Sequence, residues 1–81
     1  MNFFSEFGKP VSEHRKQRGY KLIAEHYPHI GQMEVDFIIG CAIRAIEKDR
    51  LQGLYEDLRR YIGLTFYYML IAHLCTDEVL T

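Results

Sequence analysis

Val35, Ile38, Ile39, Ala42, Ala45 and Ile46 recur at spacings of three and four, with Asp36, Arg44, Glu47 and Lys48 on the other side of the same helical projection. That periodicity predicts an amphipathic helix over residues 32–50. Glu34 and Asp36 near its start, and Lys48 and Arg50 near its end, suit the helix dipole. Gly40, Cys41, Ala42 and Ala45 are small enough to admit a second helix at close range. Phe37 breaks the pattern. It falls among the polar residues, near Met33, so it is either covered by the N-terminal segment or part of an interface. Gly53 is expected to stop the helix in the left-handed conformation.

A further helix is predicted over 54–75. Leu54, Leu58, Tyr61, Ile62, Thr65, Met69 and Ala72 form one stripe at helical spacing. Glu56, Asp57, Arg59 and Arg60 keep its first half amphipathic. From Tyr61 to Cys75 there is no Asp, Glu, Lys or Arg, and Leu64, Tyr67, Tyr68 and Ile71 make a second apolar side. Gly63 reads as a close-packing position within one long helix. A helix that is apolar all round must be covered on most sides. A domain of this size buries only roughly 60–65% of the surface of its unfolded chain. The excess predicts that the second side faces another chain. Thr76, with Asp77 and Glu78, is placed to cap a last turn.

The pattern is weaker before residue 32. Ser12 followed by Glu13 is an N-terminal signal, Pro28 is a stop, and a helix over 11–27 is expected between them. Its stripe is Tyr20, Ile23 and Tyr27, with Val11 and Leu22 off to one side. Gly19 in its interior costs ~1 kcal/mol relative to Ala. Residues 1–9 carry Phe3, Phe4 and Phe7 before Gly8 and Pro10. They predict a short aromatic helical turn, folded over the core or inserted into a partner. The fold class that follows is all-α: one domain over 1–81, a small three-helix bundle with a short N-terminal helical turn.

Charge narrows the function classes. Ten Lys and Arg oppose eleven Asp and Glu, a net charge of −1, so there is no overall attraction to nucleic acid or an acidic membrane. Locally, Lys9, Arg15, Lys16, Arg18 and Lys21 face only Glu13. Arg15, Lys16, Arg18 and Lys21 are the residues that a DNA-binding alternative would use. Asp57–Thr65 has the outline of a helix-turn-helix, but the second helix would hold none of the Arg, Lys, Asn or Gln that read base edges. Tyr61–Cys75 is short of the ~20 apolar residues a bilayer requires, and the start of the chain lacks the basic residues of a signal peptide. Cys41 and Cys75, both in apolar runs, read as reduced core residues and fit a cytoplasmic location.

Catalytic machinery is not evident. There is no nucleophile elbow and no Gly-rich phosphate loop. Glu56 and Asp57 diverge around a helix. His73 reads as a core histidine bonded to a carbonyl or a tyrosine. His26 and His29 lack companion ligands at metal spacing, so no metal or cofactor is expected. What remains is binding. Phe37, Tyr61, Leu64, Phe66, Tyr67, Tyr68 and Ile71 are the interface candidates, because aromatic residues are enriched at interfaces. The competing reading is an ordinary aromatic core. The expected function is a non-catalytic protein-interaction module that self-associates through the helix over 54–75.

Ala45-Ile46-Glu47-Lys48, the acidic pair Glu56-Asp57 and the run Leu64-Thr65-Phe66-Tyr67-Tyr68 resemble small helical proteins encoded beside secreted bacterial toxins. That resemblance implies an accessory or immunity-type binder. The acidic, proline-containing tail often found in those proteins is missing, and no functional residue carries over.

Overall fold

In a computed structural model, which describes residues 3–48 and 54–77, the chain is all-helical. A short 3-10 helix at Phe3–Glu6 precedes α1 (Glu13–His26), α2 (Gln32–Glu47), α3 (Leu54–Ile62) and α4 (Leu64–Cys75). The expected stop at Gly53, the predicted helix end at Arg50, the cap contribution of Glu78 and the side chains of Phe3, Phe4, Leu54, Glu56 and Asp57 lie outside the described residues.

Among the described residues the bundle has four α-helices rather than three, because Gly63 ends one helix and begins another. Its φ of 84° and ψ of 149° lie in a region that is essentially closed to residues with a Cβ. The Gly63 N–H closes α3 on Arg59 O at 2.8 Å, and the Gly63 carbonyl accepts from Tyr67 N at 3.0 Å to open α4. The direction change lets α4 enter the middle of the bundle. α1, α2, α3 and the 3-10 helix all pack on it. That placement absorbs half of the second apolar side, Tyr67 and Ile71, and leaves Leu64 and Tyr68 exposed. Phe66, Tyr67, Leu70, Ile71, Ala72, Leu74 and Cys75 are buried within the chain's own core. Three interface candidates, Phe66, Tyr67 and Ile71, are therefore core residues.

The stripe on α1 also differs from the one expected. Gly19, Leu22 and Ile23 are buried, while Tyr20 is half-buried and Tyr27 exposed. Gly19 holds the place of a core residue by being small. A Cβ there would lie 2.9 Å from Leu74 Cδ2, 3.0 Å from Ile39 Cδ1 and 3.5 Å from Leu70 Cδ1. Gly40 is the opposite case. Among the described residues a Cβ added there would meet only Arg44 Nη2, at the ordinary distance of 3.6 Å, so no described helix packs closely on this glycine. The predicted stripe on α2 is the observed one, with Val35, Ile38, Ile39, Ala42, Ala45 and Ile46 all buried.

Polar contacts fix the ends. Ser12 Oγ accepts from Arg15 N at 3.2 Å as the N-cap of α1. The described part of α2 closes at Glu47 with Lys48 as its C-cap, where the N-terminal segment takes up its last groups. Gly8 N donates to Ile46 O at 2.7 Å, and Val11 N to a Glu47 carboxylate oxygen at 2.9 Å. These bonds, with Phe7 packed against the core, hold the stretch from Phe7 to Val11 against its own chain. Arg15 grips Asp77 with two bonds of 3.1 and 3.3 Å, and Arg18 donates to the Thr76 carbonyl. α1 and α4 therefore run antiparallel, clamped at one end by arginine. At the other end Phe66 meets His26 and Tyr27, both with ring centroids 5.1 Å apart.

Three outcomes follow for stability: one at Gly63 and a contrasting pair at Gly40 and Gly19, read by chemical denaturation, and one in acid, read by melting temperature. Gly63→Ala lowers stability by about 1–3 kcal/mol through backbone strain. Gly40→Ala raises it by about 0.5–1 kcal/mol through helix propensity, whereas Gly19→Ala lowers it, because overpacking of about 1–3 kcal/mol exceeds that gain where Leu74, Ile39 and Leu70 have no room to move. The third concerns acid. Tyr20 and Gln32 hold the Asp36 carboxyl below the usual carboxylate range by hydrogen bonding, and Arg15 does the same for Asp77. A depressed folded pKa contributes stability above the unfolded value that is lost as pH falls through the folded one. Between about pH 5 and pH 2 the melting temperature of the double variant Asp36→Asn, Asp77→Asn therefore falls less steeply than that of the wild type.

Candidate functional site

Large apolar side chains left outside the core are the first sign of a binding surface. Met33 is 87% exposed, Phe37 62%, Tyr61 63% and Leu64 56%. Met33 and Phe37 are one helical turn apart on α2, turned away from the stripe that starts at Val35. Tyr61 comes from the last turn of α3, and together the three line one shallow depression with Glu34. α2 and α3 are antiparallel here, so the start of one meets the end of the other. The Tyr61 hydroxyl donates to Glu34 Oε2 at 3.4 Å.

Next to that depression, and sharing Glu34 and Tyr61 with it, lies a cleft of about 550 Å³. His26, Tyr27, Pro28, His29 and Ile30 form the wall from the α1–α2 connection; Ile38, Tyr61 and Ile62 form the rest. Pro28 stops α1 and turns the chain, which brings the two histidines to the rim. His26 Nδ1 lies 3.1 Å from Leu22 O, and the Tyr27 hydroxyl donates to Ile62 O at 3.3 Å. A second hollow, sharing His26, Tyr27 and Ile62, continues past Gly63 to Leu64, Thr65 and Met69. The result is a continuous, mainly apolar surface from the start of α2 to the start of α4.

Four of the seven interface candidates remain accessible. Phe37, Tyr61 and Leu64 belong to this surface, and Tyr68, 47% exposed, stands one turn from Leu64 on α4. Phe66, Tyr67 and Ile71 do not, as described above. The sequence pattern assigns Met33 no role of its own and gives His26 and His29 no companion metal ligands. The signal for Met33 was present in its spacing from Phe37. The signal for the cleft was not, because it depends on how α1 and α3 end beside each other.

The residues of the DNA-binding alternative are dispersed. Arg15 and Arg18 are engaged with Asp77 and Thr76, Lys16 is half-buried and Lys21 is exposed. α4, which a helix-turn-helix would insert into a groove, is the centre of the core. His73 sets its Nδ1 2.8 Å from Met69 O, the carbonyl-bonded role expected of it. Cys41 and Cys75 are free and buried, and burial pushes the Cys75 thiol up to about 11. Among the described residues no group of His, Cys, Asp and Glu is arranged to hold a metal ion, and no helix is long and apolar enough to cross a membrane. No family model, curated protein or solved structure matches this chain.

Proposed function

We propose that this chain is a non-catalytic protein-interaction module that self-associates through the surface built on α2, the end of α3 and the start of α4. One observation carries the reading. Met33, Phe37 and Tyr61 are each more than half exposed and line a single depression, where scattered apolar residues would need no explanation. Phe and Tyr supply large contact area, Tyr adds a polar handle, and Met adapts to an irregular partner. The adjoining cleft gives the surface relief.

Two free, buried thiols support a reducing cytoplasmic setting. The likeness to accessory proteins encoded beside bacterial toxins supports an inhibitor or adaptor role in a bacterium.

Sedimentation equilibrium tests the proposal. The wild type forms a dimer at high micromolar concentration, and Phe37→Glu is a monomer of unchanged fold. Exposed substitutions of this kind typically alter stability by no more than ~0.5 kcal/mol, so loss of the dimer reports the surface rather than unfolding. A wild type that stays monomeric throughout sinks self-association. Phe37 is the informative position, since a change at the buried Tyr67 would damage the core.

A further inference from the structure

We infer that the cleft between the α1–α2 connection and the end of α3 receives the cationic end of an arginine or lysine side chain from a bound protein. This rests on the reading of the surrounding surface as a protein-binding one and gives the partner its chemistry.

With His26 and His29 counted as neutral at pH 7, the cleft's formal charge is one-sided. Glu34 is the carboxylate on its wall, and no Lys or Arg is among the described residues that line it. Glu34 makes one hydrogen bond among the described residues, the long one from the Tyr61 hydroxyl at 3.4 Å, which a stronger donor would displace. Two helices end here. Tyr27 is the C-cap of α1 and Ile62 the last residue of α3, and the C-terminal end of a helix carries partial negative charge. α2 begins at the same place with the opposite polarity, and Glu34 in its first turn offsets that end.

The walls suit the rest of such a side chain. Tyr27 and Tyr61 offer aromatic rings, which attract cations through their faces. Ile38 and Ile62 offer an apolar surface for the aliphatic stem of Lys or Arg, which packs on apolar groups while its charged end seeks polar ones. Tyr27 is held in place before anything binds, by its bond to Ile62 O and its edge-on contact with Phe66. A volume of about 550 Å³ lies within the range of small-ligand sites. A neutral apolar anchor would cover Glu34 without a partner, and an acidic one would be repelled.

Three isosteric probes separate these cases: benzamidine (a cation), benzamide (neutral) and benzoate (an anion). Each is titrated into the full-length protein at neutral pH, at a protein concentration below that at which it dimerises, and followed by amide proton–nitrogen NMR. Benzamidine should shift the amides of His29, Ile30, Glu34 and Tyr61 along a saturable curve. Benzamide should bind about five-fold more weakly, the ratio expected from one exposed charge pair, and benzoate more weakly still. In Glu34→Gln the advantage of benzamidine over benzamide should vanish while the fold, read from the remaining amides, is unchanged. Equal binding of benzamidine and benzamide, preference for benzoate, or no shift with any probe overturns the inference. The failures are distinguishable. If Phe37→Glu abolishes the dimer while benzamidine shows no preference, the cationic anchor is wrong and the binding surface stands. If benzamidine is preferred and the wild type is monomeric, self-association is wrong and the cation site stands.

Discussion

Everything in this fold depends on one residue without a side chain leaving the helical conformation. At Gly63 the backbone takes a φ of 84°, and the apolar segment after it no longer continues the axis of α3. A straight helix through that point would have left either the Tyr67 and Ile71 side or the Met69 and Ala72 side without cover. Bent, the segment becomes the central post of the bundle, with three helices and the N-terminal turn around it. The hydrophobic effect supplies the driving force, at roughly 25 cal/mol per Å² of apolar area removed from water. Gly63 supplies the geometry that lets one chain collect most of it.

The helical class and the stripe of α2 could be read from the sequence because both rest on local periodicity. A position such as Ile39 announces itself by its neighbours at three and four. Two other features turn on the same residue type in different surroundings. Gly63 looks like a packing glycine until the left-handed backbone is known, and Gly19 looks like a weak point in a helix until Leu74 and Ile39 are seen against it. Periodicity counts side chains, so it is silent where the absence of one is the structural device. The same gap explains why Leu22, taken as off the stripe, lies in the core while Tyr27, taken as on it, borders a cleft.

The candidate surface was half legible for a related reason. Phe37 is conspicuous because it violates the amphipathic pattern of α2, and that violation survives folding, with 62% of its surface exposed. Tyr67 and Ile71 looked equally surplus but were accommodated by a tertiary arrangement that no local pattern encodes. The cleft beside Tyr61 was invisible, since Tyr27, Glu34 and Ile62 come from three separate elements. The basic residues of α1 show the converse. They suggested a partner outside the chain, and Arg15 and Arg18 found theirs in its last two described residues.

That arginine clamp bears on how the chain reaches its native state. The bonds from Arg15 to Asp77 and from Arg18 to Thr76 join residues 62 and 58 positions apart in sequence. The pairing of α1 with α4 is thus a contact of high sequence separation, unlike the neighbouring-helix contacts that let simple up-and-down bundles fold in microseconds to milliseconds. Loop-closure entropy must be overcome before the central helix gains its cover. Until that happens, the most apolar segment of the chain is the one left exposed, so the interval before closure is when aggregation threatens this small protein most.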